Sequence, residues 1–374
     1  MNNDTVLRRT GYFTFLLSGV CAISSGIIVS FLQDLHGLSF GVTGSLLSMM
    51  NIGNMAAAFL AGILPGRIGL RKTVLILSTG YALGYLINGT ASAVPLLMLA
   101  FLLIGLAKGC VLNADSVLVG THTDDRKTAM QIMHSFYALG ALLCPVLASL
   151  LLGWGKTAPM FGVAVMGFFL WLVYALAPLP GPVAAEGGKT RDLSFLRDPT
   201  FWILTMLIFC QNAAENSVTG WLVTYYKNQG ILSGALSGYT MSIMWGATLI
   251  ARLLIAFVLP IKNTFKALGV MGFFCTILYA VMLTLHAPVS VTLALFLFSL
   301  SMAGVNPMAV ASVGSSLNSE SMGIMLPIGS IGGIVMPAII GAVADSAGLH
   351  AGMLCNLVPC AGIMILSLLM LQKK

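Results

Sequence analysis

Residues 94–118 read VPLLMLAFLLIGLAKGCVLNADSVL, a long apolar run interrupted by one lysine, Lys108, and one aspartate, Asp115. A hydrocarbon layer about 30 Å thick is crossed by about 20 apolar residues in a helix. This run therefore predicts a helix that spans a membrane and that carries two charged side chains inside the span.

The same kind of run recurs along the whole chain of 374 residues, of which 58% are hydrophobic and 8% charged. The mean hydropathy of +0.98 is too high for a water-soluble core of this size. The runs are continuously apolar, whereas the strands of a membrane barrel alternate over about 10 residues. We predict an all-α polytopic membrane protein with twelve transmembrane helices. The predicted spans are 11–33, 41–63, 73–92, 94–118, 128–152, 158–178, 200–224, 238–260, 266–286, 290–313, 322–344 and 350–371.

The longest polar break lies at 180–199 and separates six spans from six. We therefore predict an N-terminal six-helix bundle at 1–179, a cytoplasmic linker at 180–199 and a C-terminal six-helix bundle at 200–374. Four residues of the fifth span recur in the eleventh at one constant displacement: Met130, Met133, Gly140 and Pro145 reappear as Met322, Met325, Gly332 and Pro337. Duplicated halves indicate two pseudo-symmetric bundles that transport a solute by alternating access.

The net charge of +7 would suggest a nucleic-acid partner in a soluble protein, but the positions of the charges favour a topological explanation. If the N-terminus is cytoplasmic, only Lys156 and Lys227 face outward. The cations then predicted on the cytoplasmic side are Arg8, Arg9, Arg67, Arg71, Lys72, Arg126, Lys127, Lys189, Arg191, Arg197, Lys262, Lys266, Lys373 and Lys374. We expect a protein of the cytoplasmic membrane with both termini in the cytoplasm and no nucleic-acid partner.

The loop Gly62–Lys72 reads GILPGRIGLRK and is similar to the motif G-x-L-a-D-r-x-G-r-r/k of the major facilitator superfamily, which the chain resembles over its whole length. Gly66 stands at the acidic position of that motif. The resemblance implies the major facilitator fold and a gate that includes Arg67 and Arg71. The family often carries an arginine in the eighth helix as part of the gate, and Arg252 matches that position. A ligand role for Arg252 is the alternative.

Two further stretches resemble the fucose:proton symporter branch of this family. One is His134–Gly140 with Pro145, and the other is Glu215 followed by Gly220–Leu222 and Tyr225. The first span lacks the mid-helix aspartate that this branch uses in coupling. The resemblance implies proton coupling and a carbohydrate-like solute.

Four charged residues lie well inside the predicted spans: Lys108, Asp115, Glu215 and Arg252. Each costs about 2.5 to 3.5 kcal/mol on an insertion scale, so a functional role is favoured. Lys108 and Asp115 are seven residues apart, on one helix face and about 10 Å apart along the axis. We expect Lys108 to bind an anionic or hydroxyl group and Asp115 to carry a proton. Alternatively, Lys108 pairs with a carboxylate of another helix, and Asp115 is a solvated structural acid.

A polar stripe marks the seventh span, where Gln211, Asn212, Glu215 and Thr219 fall on one helix face. We predict that Glu215 binds solute hydroxyls or a proton, and that the amides of Gln211 and Asn212 contact the same solute. The alternative is that the stripe joins helices through hydrogen bonds.

Further candidates come from other spans. Trp245 could stack on a sugar ring, although an ordinary packing role is the alternative. His134 could relay protons, or it could be a neutral histidine bonded to a neighbouring helix. Tyr137 and Asn306 complete the predicted solute site.

The sequence contains no metal-ligand spacing, phosphate-binding loop or nucleophile motif, so we expect no metal, no cofactor and no enzymatic activity. The seven cysteines are interpreted as small apolar packing residues. We predict a monomeric proton-coupled symporter of a small polar solute, sugar-like or an organic anion such as a sugar acid, working in the lipid bilayer. The alternatives are a proton-coupled exporter of amphipathic compounds, suggested by the 22 methionines, and an intramembrane enzyme.

Overall fold

The computed structural model describes residues 3–123, 126–179, 194–232, 234–259, 261–314 and 319–372, and these ranges contain no strand. A short 3-10 helix, Ser194–Arg197, precedes α7. The α-helices of the described residues are α1 (Asn3–His36), α2 (Phe40–Ile68), α3 (Leu70–Thr90), α4 (Val94–Thr121), α5 (Arg126–Leu152), α6 (Ala158–Leu176), α7 (Pro199–Asn228), α8 (Gly234–Phe257), α9 (Thr264–Thr284), α10 (Pro288–Met302), α11 (Val305–Gly314), α12 (Ser319–Ala347), α13 (Leu349–Leu354) and α14 (Leu357–Gln372).

Each predicted span corresponds to a helix or to a pair of consecutive helices. The first nine spans are α1 to α9, the eleventh is α12, and the tenth and twelfth are each divided into two helices. The divisions follow Ala303 and Cys355, each four residues before a proline, Pro307 or Pro359. Proline has no N–H to donate to the carbonyl four residues earlier, so these helices are interrupted there. The predicted fold class is confirmed.

Ten stretches of the described residues are helical, long and apolar enough to cross a membrane. The predicted spans outside this set are α3 and α7, which are 21 and 30 residues long. Both have the length to cross a bilayer. In α7 the apolar run is interrupted by Gln211, Asn212 and Glu215, so the lower hydropathy marks a polar face within a span.

The chain divides into two compact units. Unit 1 comprises Met1–Leu38 and Ser45–Gly187, and unit 2 comprises Ser39–Gly44 and Gly188–Lys374. The predicted domain boundaries stay a prediction, since most of the predicted linker lies outside the described residues. Lys189, Arg191, Lys373 and Lys374 also lie outside the described residues, as do the side chains of Arg126, Lys127 and Met322, so the predictions made for them stay predictions.

Unit 1 is built around α1, which is buried along most of its length and packs against α4, α5 and α6. The contact with α5 depends on two glycines. A Cβ atom at Gly19 would collide with the carbonyl oxygen of Tyr137, and one at Gly140 would collide with that of Leu16. The backbones of α1 and α5 therefore approach more closely than any larger residue would permit.

Unit 2 repeats this arrangement with α7, which packs against α12 and α14. A Cβ atom at Gly332 would collide with the carbonyl oxygen of Phe209. Gly140 and Gly332 are one of the residue pairs that the sequence repeat aligns. Both therefore permit the close approach of their own helix to the first helix of their half.

The first turn of α2 also belongs to unit 2. The backbone N–H groups of Phe40 and Gly41 donate to Oδ1 and Oδ2 of Asp345, each at 2.8 Å. Asp345 lies near the end of α12, so a carboxylate from a distant helix caps the N-terminus of α2.

Candidate functional site

The polar stripe of α7 forms a hydrogen-bonded chain with α11 in unit 2. The side-chain amide of Gln211 is 1% exposed and donates from Nε2 to Oε2 of Glu215. Asn306 of α11 donates from Nδ2 to Oε1 of Gln211 at 2.8 Å. Both ends of the Gln211 amide are thus fixed, which orients the half-buried Glu215 and Asn306 side chains.

One carboxylate oxygen of Glu215 accepts no hydrogen bond within the described part of the chain. Its described hydrogen bond, from Gln211, uses Oε2. The second oxygen, Oε1, remains an acceptor, and Asn306 keeps its own side-chain oxygen. The cluster therefore offers acceptors to a molecule that brings hydroxyl or amino donors.

The remaining residues of the stripe make different contacts. Asn212 donates to the carbonyl oxygen of Gly329 on α12 at 3.3 Å, and Thr219 lies 3.9 Å from the sulfur of Met244 on α8. These two residues join helices of unit 2, as the alternative interpretation of the stripe expects. Trp245 is only 5% exposed, so its ring offers little surface for stacking in this structure.

Asp115 occupies a closed polar site in unit 1. Its carboxyl group is 0% exposed and lies among α1, α4 and α6. Thr14 of α1 places its hydroxyl 2.9 Å from Oδ1 and 3.0 Å from Oδ2, and the hydroxyl of Tyr174 donates to Oδ1 at 2.6 Å. The alternative that Asp115 is a solvated acid is wrong, because the side chain is fully buried.

The close approach of α1 to α4 brings Thr14 within reach of Asp115. Gly11 lies one turn before Thr14, and a Cβ atom there would come within 2.7 Å of the Val119 side chain. A larger residue would push α1 away from the carboxylate. Lys108 lies on the same helix as Asp115 and is half-buried.

His134 and Tyr137 pack around one aromatic ring of α1. The His134 ring meets the edge of Phe15 with centroids 5.4 Å apart, and the Tyr137 ring lies 5.0 Å from it at a tilt of 42°. Both side chains are half-buried within unit 1. Their predicted roles in solute binding and proton relay stay predictions.

The predicted gate arginines lie in three different settings. Arg67 is exposed at the end of α2, and Arg252 is half-buried on α8. Arg71 donates from Nη2 to the carbonyl oxygen of Ala175, at 2.8 Å, near the end of α6. A cation at a helix C-terminus donates to a terminal carbonyl group and interacts favourably with the negative end of the helix dipole. Arg71 therefore fastens α3 to α6 within unit 1.

Thr14, Tyr174 and Asp345 were not predicted from the sequence as functional residues. One signal was present for Thr14, because Thr10, Thr14 and Ser18 follow one another at helical spacing along α1. Ser18 is also hydrogen-bonded, 2.8 Å from the hydroxyl of Tyr81. Tyr174 and Asp345 carried no comparable signal, since each acts through a partner distant in sequence.

The part of the chain that the structure describes contains no group of three His, Cys, Asp or Glu residues placed to hold a metal ion. All seven cysteines are free thiols.

A sequence profile of the Major Facilitator Superfamily matches residues 11–328, which is most of the chain. The chain belongs to the Major Facilitator Superfamily. This facilitator is also similar to two proteins named TsgA homolog. The one from Serratia proteamaculans (strain 568) is 20% identical over 368 residues, covering 94% of this chain and 92% of the relative. The one from Yersinia enterocolitica is 20% identical over 379 residues, with the same coverage.

Solved structures of other transporters share the fold. A crystal structure of a mutant of the nucleoside transporter NupG gives a TM-score of 0.83 at 14% identity and covers 99% of both chains. A bacterial homolog of the human lysosomal transporter Spinster, inward-facing and occupied, gives 0.75 at 12% identity. The latter match covers 99% of this facilitator and 96% of that chain.

These findings confirm the family, the membrane-spanning fold and the function of a secondary transporter rather than an enzyme. The narrower resemblance to the fucose:proton symporter branch stays a prediction.

Proposed function

We propose that this facilitator is a proton-coupled symporter that carries a small, hydroxyl-rich polar solute, such as a sugar or a nucleoside, across the cytoplasmic membrane. It works as a monomer in the lipid bilayer with both termini in the cytoplasm. The observation that carries the proposal is the chain of hydrogen bonds from Asn306 through Gln211 to Glu215.

A carboxylate in the middle of a membrane span is costly, and its presence supports a function. Glu215 costs about 2.5 to 3.5 kcal/mol on an insertion scale. A single hydrogen bond from Gln211 has a net contribution to a charged group of about 1.5 to 3 kcal/mol, which offsets much of this cost. Binding of solute donors or of a proton completes the site.

The chemistry of the cluster favours a donor-rich solute over an anion. Glu215 and Asn306 both retain side-chain oxygens that accept hydrogen bonds. A vicinal diol brings two hydroxyl donors, whereas a carboxylate would meet repulsion from Glu215. A site built to bond hydroxyls also rejects molecules that lack them, because its polar groups would be left unsatisfied.

The name of one structural neighbour supports this class of solute. NupG is described as a nucleoside transporter, and a nucleoside carries hydroxyl groups on its sugar. The likeness itself shows the fold, so the choice of solute depends on the cluster around Glu215. The predicted proton carriers of this facilitator are Glu215, Asp115 and His134.

Ligand-induced stabilisation of the purified protein tests the solute class. Nucleosides, hexoses and sugar acids are screened by thermal unfolding against wild type, Glu215→Gln and Lys108→Ala. We expect a neutral hydroxyl-rich compound to raise the melting temperature of wild type, and we expect Glu215→Gln to abolish the rise. Asp345→Asn makes the same chemical change at an exposed position of unit 2 and should keep the rise.

Two outcomes would contradict this proposal. Equal stabilisation of wild type and Glu215→Gln would remove Glu215 from the solute site. A rise that only sugar acids produce, and that only Lys108→Ala abolishes, would assign an organic anion as the solute.

A further inference from the structure

The hydroxyl of Thr14 has more acceptors within reach than it has hydrogens. Its oxygen lies 2.8 Å from the carbonyl oxygen of Thr10, as well as 2.9 Å and 3.0 Å from the two carboxyl oxygens of Asp115. A hydroxyl donates one hydrogen and accepts up to two hydrogen bonds. Thr14 can therefore donate to Thr10 or to Asp115, but not to both at full strength.

The two protonation states of Asp115 satisfy this geometry in different ways. When the carboxyl group is protonated, it donates to Oγ1 of Thr14, Thr14 donates to the Thr10 carbonyl, and Tyr174 donates to the other carboxyl oxygen. When the proton has left, Thr14 and Tyr174 both donate to the carboxylate. The O–H bond of Asp115 is the only covalent bond that breaks, its proton passes to water, and the hydrogen of Thr14 turns from Thr10 to Asp115.

We propose that Thr14, Asp115 and Tyr174 form a proton-binding triad in which the Thr14 hydroxyl reverses its hydrogen bond when Asp115 gains or loses a proton. Asp115 binds the proton, and Thr14 and Tyr174 are positioning residues. The proposal deepens the proton coupling proposed above and rests on it for its role in transport.

The described hydrogen-bond partners of the Asp115 carboxyl group are the hydroxyl groups of Thr14 and Tyr174, which are both neutral. On α5, the rings of His134 and Tyr137 pack against Phe15. Among the described residues, the titratable side chains that interact electrostatically with Asp115 include Tyr174 of α6, Tyr81 of α3 and Cys110 of its own helix.

The triad is also closed to solvent. Thr14, Asp115 and Tyr174 are each 0% exposed. A proton is small enough to enter such a site through rearranged hydrogen bonds, whereas a solute is not. The structure thus favours a proton site on Asp115 that does not contact the transported molecule.

Infrared difference spectroscopy of the purified full-length protein, titrated with pH, tests the triad without any solute. We expect a protonated-carboxyl C=O band that Asp115→Asn removes and that Glu215→Gln retains. Thr14→Val removes the donor to the ionised carboxylate and also the acceptor of the protonated carboxyl group. Because a hydrogen bond to a charged group is the stronger of the two, the midpoint of this band should move to higher pH, by about one pH unit or tenfold in proton affinity.

Two further variants keep the test decisive if Thr14→Val fails to fold. Thr14→Ser retains the hydroxyl and should restore the wild-type midpoint, and Tyr174→Phe should shift it in the same direction as Thr14→Val. A midpoint that is unchanged in Thr14→Val or Tyr174→Phe would overturn the triad, as would a band that persists in Asp115→Asn.

Uptake driven by a pH gradient separates this inference from the proposed function. Gradient-driven uptake by wild type, combined with an unshifted band in the variants, overturns the triad alone. If uptake is indifferent to the gradient, proton symport is contradicted. A band that shifts as expected in the variants would still support the triad as a proton-binding site.

Discussion

The side-chain amide of Gln211 has two ends, and a different partner holds each of them. Asn306 donates to the side-chain oxygen of Gln211, and the side-chain nitrogen of Gln211 donates to Glu215. The direction of both bonds depends on Asn306 being a donor. A change at Asn306 should therefore act on Glu215 through Gln211.

Asn306→Asp tests this dependence. When the introduced carboxyl group is ionised it cannot donate, so Gln211 must either lose this bond or rotate its amide and lose the bond to Glu215. When the same group is protonated it can still donate and keeps the pattern. We expect the variant to be less stable than wild type by about 1 to 3 kcal/mol at pH 8, and we expect this loss to be smaller at pH 5. Thermal unfolding at the two pH values measures this.

Asn306→Ala is the matched control, because it removes the donor at every pH. Its loss of stability should be the same at pH 5 and pH 8. If Asn306→Asp showed no more pH dependence than wild type, the described direction of the hydrogen bonds would be incorrect.

The sequence predicted the residues of one cluster better than those of the other. Gln211 and Glu215 share one helix, so the helical period was sufficient to group them. The Asp115 site joins three helices, and a single sequence does not show that Thr14 and Tyr174 reach the same carboxyl group. Its partners were therefore found only in the structure.

Helix pairs in each unit depend on glycine at the crossing point. We expect Gly140→Ala and Gly332→Ala each to destabilise the protein by about 1 to 3 kcal/mol, because the added methyl group meets a backbone carbonyl that cannot move away. Thermal unfolding of the purified variants measures this.

Gly269→Ala is the control for these variants, since its Cβ would meet only side-chain atoms, the nearest of them in Leu368 at 3.6 Å. Alanine is a better helix former than glycine by up to about 1 kcal/mol, so this variant should match or exceed wild type. Similar behaviour of Gly140→Ala and Gly269→Ala would refute the close-approach argument.

The N-terminus of α2 should loosen when its carboxylate cap is weakened. Asp345→Asn leaves one side-chain oxygen where two now accept from Phe40 and Gly41. We expect a loss of about 0.5 to 2 kcal/mol and faster hydrogen exchange at these two amides. Ser39→Ala should have a smaller effect, because Ser39 Oγ accepts a single, longer hydrogen bond, from the N–H of Val42 at 3.3 Å. Unchanged exchange in Asp345→Asn would show that the cap contributes little.

The sequence predicted helices more reliably than it predicted their ends. The apolar runs located every span, but α1 begins at Asn3 and α7 continues to Asn228, beyond the predicted 11–33 and 200–224. Hydropathy identifies the part of a helix that lies in lipid, whereas backbone hydrogen bonding continues into polar residues. The interruptions before Pro307 and Pro359 follow from the missing N–H of proline.

At the scale of the whole molecule, the sequence repeat was sufficient to predict two duplicated halves. The repeat that aligned Gly140 with Gly332 also aligned their packing roles in the two units. Grouping of the first turn of α2 with unit 2 was not predicted, because its cause is a single carboxylate from α12. Long-range hydrogen bonds of this kind leave no pattern in one sequence.

Proton-driven accumulation in proteoliposomes is the most direct test of the central claim. Purified wild-type protein is reconstituted, and uptake of the compound that stabilises it most is followed with and without an imposed pH gradient. We predict accumulation above the external concentration when the gradient is present and loss of that accumulation when a protonophore is added. Uptake that merely equilibrates, at the same rate and to the same level with and without the gradient, would contradict proton-coupled symport.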